Sequence, residues 1–145
     1  MPRNKAGYCM LPKTPEQKRV AMSMLTADRD MEAAETLLQA SPHLYENIGF
    51  HCQQATEKYL KAVLVASSLP TPFIHDLTKL LLPLVQANLI QFSHQDLVEA
   101  AILNEFGVEL RYETDDDPSY TSADLLTMAT RFQTKLRPLA QAFLI

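Results

Sequence analysis

The chain is poor in glycine, cysteine and basic residues, and each shortage removes a class of protein. Three glycines in 145 residues are too few for the many tight turns of a β-sandwich or a barrel. Two cysteines, Cys9 and Cys52, do not make a disulfide framework, which favours reduced thiols and a cytoplasmic location. A formal net charge of −4 argues against generic binding to duplex DNA through a basic face, although it leaves room for a local basic pocket.

Long hydrophobic runs are also missing. No apolar stretch approaches the ~20 residues of a membrane-spanning helix, so we expect no membrane association. Residues 1–13 lack the apolar core of a signal peptide, and their prolines and glycine predict a flexible N-terminal segment. The chain has a hydrophobic fraction of 47%, which is ordinary for a globular protein, and residues 14–145 are predicted to form one domain.

Helical periodicity dominates the first half of that domain. Thr14 followed by Pro15 and Gln17 is typical of a capped helix start. Apolar residues then recur at a 4-3-4-3-4 spacing from Val20 to Leu38. We therefore predict a first helix over residues 15–39 and, after Ser41-Pro42, a second helix over residues 44–67.

Three further capping signatures predict shorter helices in the second half. Asp76, Ser93 and Thr121 each precede an apolar helical pattern. Gly107 is predicted to lie inside the fourth helix, where it would bend the helix or allow a close approach, and Pro138 is predicted to kink or end the fifth. Because no alternating strand pattern occurs, the predicted fold is all-α, an up-and-down antiparallel bundle of four to five helices.

The second predicted helix carries the most informative stretch, FHCQQATEKYLKA at residues 50–62. One side is an apolar seam that passes through Cys52 and Tyr59. The other side mixes polar groups with large apolar ones: Phe50, His51, Gln53, Gln54, Glu57, Lys58, Leu60, Lys61, Leu64 and Val65. We predict a half-buried polar surface that meets a partner helix or lines a cleft. The alternative is a solvated face on which Glu57 and Lys61 form an i,i+4 pair.

Two groups of residues on or near this surface suggest phosphate binding. His51, Gln54, Lys58 and Lys61 share one sector of the helix, where two ammonium groups and an imidazole raise the local potential and could hold a nucleotide. His75 lies at a helix start beside Asp76. Either Asp76 orients the imidazole toward a phosphate, or Asp76 is only the helix cap and His75 fills the turn.

Arg111 and Tyr112 form a third candidate, followed by an acidic loop around Pro118. The guanidinium and the phenol could hold a phosphate and a base, or Arg111 could simply neutralise the acidic loop. The four histidines have no zinc-ligand spacing, and no glycine-rich phosphate loop occurs. We therefore expect no cofactor and no metal.

These segments resemble the HEPN family, the higher eukaryote and prokaryote nucleotide-binding domain, over about residues 20–140. The resemblance is carried by the block at residues 50–62, by His75-Asp76-Leu77, and by Leu110-Arg111-Tyr112 with the acidic loop and the final helix. It implies a small helical bundle, often a homodimer. Many members act beside a minimal nucleotidyltransferase, including toxin–antitoxin pairs.

The resemblance also implies a test for catalysis. A ribonuclease branch of the family uses an arginine followed, after four to six residues, by a histidine, and no arginine of this chain has a histidine at that distance. The favoured hypothesis is therefore a non-catalytic module that binds a nucleotide or a partner through His51, Gln54, Glu57, Lys58, Lys61, His75, Arg111 and Tyr112. The alternative is a metal-independent, RNA-cleaving toxin in which His51 or His75 meets Arg111 in space.

Overall fold

The structure is a computed structural model that describes residues 13–107 and 119–145. Within those ranges the chain forms five helices and no strand, which confirms the predicted all-α class. The helices are α1 (Pro15–Ala40), α2 (Tyr45–Ala66), α3 (Leu77–Gln86), α4 (His94–Asn104) and α5 (Ser122–Phe143). Arg111, Tyr112, Cys9 and the predicted flexible segment up to residue 12 lie outside the described residues.

Helix α1 begins where its capping residues predict. The Thr14 hydroxyl accepts a hydrogen bond from the Gln17 backbone N–H at 3.1 Å, and the Gln17 side chain accepts from the Thr14 backbone in return. The predicted apolar stripe of α1 is buried at Val20, Met24, Ala27, Met31 and Ala34. A connection over residues 41–44 turns the chain back, so that α2 packs antiparallel along this stripe.

Helix α2 is the centre of the bundle. It contacts all four other helices, and both its apolar seam and its opposite side are withdrawn from solvent. Cys52 and Tyr59 on the seam are fully buried, and so are Leu60 and Leu64 on the mixed side. Leu60 and Leu64 are therefore core residues, and their burial withdraws the neighbouring polar groups of α2 from solvent.

Helix α5 runs antiparallel to α1 and closes the bundle. At one end the Ser122 hydroxyl donates to the Pro42 carbonyl at 2.8 Å, and at the other the Gln17 amide donates to the Phe143 carbonyl at 3.2 Å. Pro138 lies inside α5 and does not end it, because the helix continues to Phe143.

Two ion pairs join α4 to α5, and we call them the α4–α5 clamp. The Lys135 ammonium lies 2.6 Å from an Asp96 carboxylate oxygen, and the Arg131 guanidinium pairs with Glu99. Both carboxylates are buried, Asp96 at 7% and Glu99 at 1% relative exposure. Glu99 Oε1 also accepts from the Gln95 amide at 3.0 Å, whereas Glu99 Oε2 is buried with no hydrogen-bond partner among the described residues.

Two glycines allow other parts of the chain to pack closely against α2. A Cβ on Gly49 would lie 2.4 Å from the Phe106 ring, so the ring packs directly over the α2 backbone. The prediction that Gly107 lies inside α4 is wrong, because α4 ends at Asn104. Gly107 instead brings the chain against α2, where an added Cβ would lie 3.0 Å from the Gln53 amide nitrogen.

The connection from α2 to α3 leaves α2 through a left-handed residue. Ser68 has a φ of 58°, and the Leu69 N–H bonds the Leu64 carbonyl at 2.9 Å, as in a Schellman motif. The chain then passes through Pro70 and Pro72 to Asp76, which caps α3. This connection delivers His75 to the polar side of α2.

None of the helices in the described ranges combines the length and apolar character needed to cross a bilayer.

Candidate functional site

The polar side of α2 divides into two clusters, each built around a withdrawn carboxylate. The Asp30 cluster contains Asp30, His51 and Lys58. The Glu57 cluster contains Gln53, Glu57, Lys61 and His75. In both clusters the carboxylate is less exposed than the basic groups that contact it.

The Asp30 cluster joins α2 to α1. His51 Nδ1 lies 2.9 Å from Asp30 Oδ1, and the Lys58 ammonium lies 2.6 Å from Asp30 Oδ2. The Asp30 side chain is 13% exposed and the two basic side chains are each 30% exposed. A shallow groove of about 430 Å³ runs beside this cluster and is lined by Arg29, Glu32, Ala33, Thr36, Leu37 and His51.

The Glu57 cluster joins α2 to the connection before α3. The Glu57 side chain is 6% exposed, and its Oε1 lies 2.8 Å from His75 Nδ1 and 3.3 Å from the Gln53 amide nitrogen. The Lys61 ammonium lies 3.4 Å from Glu57 Oε2. A carboxylate only accepts hydrogen bonds, so Nδ1 of His75 is assigned the proton, and Nε2 is left for an external group. The His75 side chain is 57% exposed.

Gln53 fixes the backbone that carries His75. It is fully buried, its amide nitrogen donates to the His75 carbonyl at 3.0 Å, and its amide oxygen accepts from Gln54 at 2.7 Å. We did not predict Gln53 as a site residue. Its position in the mixed arc, between Phe50 and Glu57, was the only sequence signal for its role.

Asp76 does not orient His75. Its carboxylate instead accepts from the Thr78 hydroxyl at 2.6 Å, from the Thr78 backbone at 3.0 Å and from the Asn104 amide at 2.9 Å. The Thr78 hydroxyl is the largest cause that lowers the pKa of Asp76, and the other hydrogen bonds lower it further against a smaller opposing effect of burial. Asp76 is therefore the helix cap, and the interpretation that it positions the imidazole is wrong.

A deeper polar contact links three helices. The Tyr59 hydroxyl bonds Asp28 of α1 at 2.5 Å and accepts from Gln133 of α5 at 3.0 Å. Arg137 completes the contact through two bonds to Asp28, at 3.0 and 2.9 Å. Burial, and then the bond to Asp28, raise the pKa of Tyr59 above its ordinary value, so this phenol stays protonated. We assign the contact to the stability of the bundle.

The predicted site residues are thus only partly assembled. Glu57, Lys61 and His75 meet, Gln54 joins them through Gln53, and His51 and Lys58 meet at Asp30. The predicted half-buried surface is confirmed. The alternative of a solvated face is wrong, although its Glu57–Lys61 pair exists. Cys52 lies in the core, where burial raises the pKa of its thiol to about 12, so it is not a reactive group.

The family model described as "HEPN domain" matches residues 20–135. The chain belongs to the HEPN domain family. This result confirms the resemblance inferred from the block at residues 50–62 and from His75-Asp76-Leu77. No curated protein matches this HEPN domain in sequence.

Two crystal structures are similar to this HEPN domain in fold. One is ST0689, an archaeal HEPN homologue, with a TM-score of 0.62 and 22% sequence identity over 84% of this chain and 98% of its own. The other is TT1696 from Thermus thermophilus, with a TM-score of 0.55 and 21% identity over 87% of this chain and 95% of its own. At these identities the likeness concerns the fold alone.

Proposed function

We propose that this HEPN domain binds a phosphate-bearing ligand, of the nucleotide type, at the Glu57 cluster and does not itself catalyse a reaction. One observation carries the proposal. The buried Glu57 carboxylate holds an imidazole and an ammonium group in place, while the outer parts of both groups remain accessible. Basic groups that are already positioned lose less conformational freedom when an anion binds them.

The geometry suits a single phosphate. His75 and Lys61 contact the same carboxylate group, so one phosphate beside Glu57 can accept hydrogen bonds from the Lys61 ammonium and from Nε2–H of a doubly protonated His75. The Asp30 cluster adds Lys58 one turn before Lys61 on α2, which suits a ligand with more than one phosphate. The net charge of −4 on the whole chain repels anions, so the attraction for a phosphate has to come from this local concentration of basic groups.

The proposal extends to partners. Family membership supports a homodimer that works beside a minimal nucleotidyltransferase, as in toxin–antitoxin pairs. Sedimentation of the purified chain tests the dimer, and co-purification with a transferase encoded beside it tests the pairing. A monomer that fails to retain such a transferase would remove this extension and leave the ligand proposal standing.

Calorimetry with ATP tests the ligand proposal. Lys61→Ala removes one charge-assisted hydrogen bond of about 1.5 kcal/mol, so we expect binding to weaken by roughly tenfold while the melting temperature changes little. Lys79→Ala is the matched control, because Lys79 is an exposed lysine on α3. This variant should bind ATP as tightly as the unchanged protein does. Equal weakening by both variants, or no binding of ATP to the unchanged protein, would contradict the proposal.

A second candidate function, RNA cleavage, is favoured by the Glu57–His75 contact itself. A carboxylate that holds Nδ1–H of an imidazole and leaves Nε2 accessible is an arrangement used by general bases. Nε2 of His75 would take the proton of a ribose 2′-hydroxyl. The test is incubation of purified protein with RNA: cleavage that is lost in His75→Ala but kept in His51→Ala would establish this function, and intact RNA would reject it.

A further inference from the structure

Phe73 is the most exposed large hydrophobic side chain among the described residues. Its relative exposure of 103% means that the phenyl ring contributes nothing to the core. Burial of a phenylalanine side chain stabilises a protein by about 1.5–3 kcal/mol, and Phe73 forgoes that contribution. An aromatic ring in full contact with water calls for an explanation outside the folding of the bundle.

Phe73 lies close to the Glu57 cluster along the chain. Phe73 and His75 are two residues apart in an irregular, non-helical connection, so their Cα atoms are separated by at most about 7 Å. Ile74 between them packs against the core, whereas both flanking residues are exposed. Phe73 and His75 therefore both present their side chains to solvent within a short distance of each other along the connection.

The connection is well suited to hold a ring in place. Pro70 and Pro72 restrict the backbone just before Phe73, and His75 is tied to α2 through its side chain and its carbonyl. Phe73 is therefore held between a stiff segment and a fixed residue, so little backbone entropy is lost when something packs on the ring.

We propose that Phe73 stacks on the base of a nucleotide whose phosphate is held by His75 and Lys61. This inference rests on the proposed function and narrows it, because the ligand must then carry an aromatic base as well as a phosphate. Basic groups beside an exposed aromatic ring are the combination that binds single-stranded nucleic acids and nucleotides. A single exposed ring beside basic groups fits a base better than a protein partner, whose interface needs a wider apolar area.

A tryptophan reporter tests the stacking directly. The chain contains no tryptophan, so Phe73→Trp places one fluorophore at the proposed platform. We expect ATP to quench its fluorescence saturably, and inorganic tripolyphosphate, which has no base, to leave it unchanged. The control is Met22→Trp on the exposed side of α1, where the original side chain is 60% exposed and ATP should have no saturable effect.

Calorimetry measures the contribution of the ring. Phe73→Ala should weaken ATP binding by about 5- to 150-fold, the effect of losing one stacked base, while Phe73→Tyr should retain binding. Neither change should alter the affinity for tripolyphosphate. Because Phe73 is exposed, the alanine variant should melt at the temperature of the unchanged protein.

The outcomes separate this inference from the proposed function. If ATP and tripolyphosphate bind equally well and Phe73→Ala changes neither, the stacking inference is overturned and the phosphate site stands. If neither compound binds, both are overturned. A short oligoadenylate is a third probe, because it carries phosphates and aromatic bases in a single strand of nucleic acid. Tighter binding of the oligoadenylate than of ATP, again weakened by Phe73→Ala, would support stacking and identify the strand as the source.

Discussion

The Glu57 cluster and the α4–α5 clamp both hold basic groups on buried carboxylates, yet they differ in what the contacts connect. In the clamp the carboxylates belong to α4 and the basic groups to α5, so each ion pair joins two helices. In the Glu57 cluster Gln53, Glu57 and Lys61 all belong to α2, and only His75 comes from elsewhere. The clamp therefore contributes to the fold, whereas the Glu57 cluster mainly orients one imidazole.

The two buried glutamates also differ in how completely they are paired. Both oxygens of Glu57 have basic or amide partners on the protein. Glu99 has its partners on Oε1, and its other oxygen has none among the described residues. Because Arg131 is the cation paired with Glu99, whereas Glu57 is contacted by both His75 and Lys61, the loss of Arg131 should matter more than the loss of His75.

The largest expected effect follows from this difference. Arg131→Ala leaves the buried Glu99 carboxylate without its cation and should lower the free energy of unfolding by about 3 kcal/mol. His75→Ala leaves Glu57 with Lys61 and Gln53 and should lower it by less than about 1 kcal/mol. Chemical denaturation measures both values.

Arg19→Ala serves as the control for the removal of an arginine, because Arg19 is exposed on α1 and should change stability little. An equal loss of stability in Arg131→Ala and His75→Ala would remove the distinction between the clamp and the cluster.

The next largest expected effect on stability comes from comparing two glutamines, Gln53 and Gln95. Gln53 and Gln95 each donate to a glutamate four residues further along the same helix, at 3.3 and 3.0 Å. Gln53 is fully buried and also bonds the His75 carbonyl, so Gln53→Ala should lower the free energy of unfolding by about 2 kcal/mol and weaken ATP binding. Gln95 is exposed, and Gln95→Ala should change stability by less than about 0.5 kcal/mol.

Thermal melts and calorimetry on the two variants check this expectation. If Gln53→Ala keeps full ATP affinity in protein that is still folded, the positioning of His75 by Gln53 is not needed for binding.

The smallest expected effect is on the stability of the protein in acid. It involves Asp76, next to His75 of the Glu57 cluster, and Asp96 of the α4–α5 clamp. The Thr78 hydroxyl is the main cause of the lowered pKa of Asp76. Burial alone would raise the pKa of Asp96, but the bonds from Lys135 and from Ser93 outweigh it and lower that pKa. A carboxyl whose pKa is lower in the folded state stabilises the fold above its unfolded pKa of about 4, and this contribution is lost as the pH falls further.

Asp76→Asn and Asp96→Asn should therefore each reduce the loss of stability between neutral pH and acid. Denaturation midpoints measured across this pH range check the expectation, and a variant with the same acid dependence as the unchanged protein would contradict it.

The local parts of the fold were predictable from the sequence, and the pairings between helices were not. Thr14, Asp76, Ser93 and Thr121 cap their helices as predicted, because a cap depends on residues only three or four positions apart. The half-buried character of α2 was also predicted, since Leu60 and Phe50 interrupt its polar side.

The partners within the site depend on longer distances along the chain. Asp76 was considered as the partner of His75 because it is adjacent, yet the true partner is Glu57, 18 residues earlier. Asp30 was not predicted to receive His51 and Lys58, because the register of α1 against α2 is set by packing along both helices. The contact of Gly107 with Gln53 also joins residues far apart in the chain, and the sequence wrongly predicts Gly107 to lie inside α4.

The left-handed conformation of Ser68 has a consequence for the whole of the proposed ligand surface. This backbone angle sets the direction in which the chain leaves α2. The positions of Phe73 and His75 therefore depend on the conformation of Ser68, several residues earlier in the chain. Glycine would adopt the same angle with less strain, whereas valine or isoleucine would resist it. The ligand recognition that we propose for this protein is therefore coupled to the way in which α2 ends.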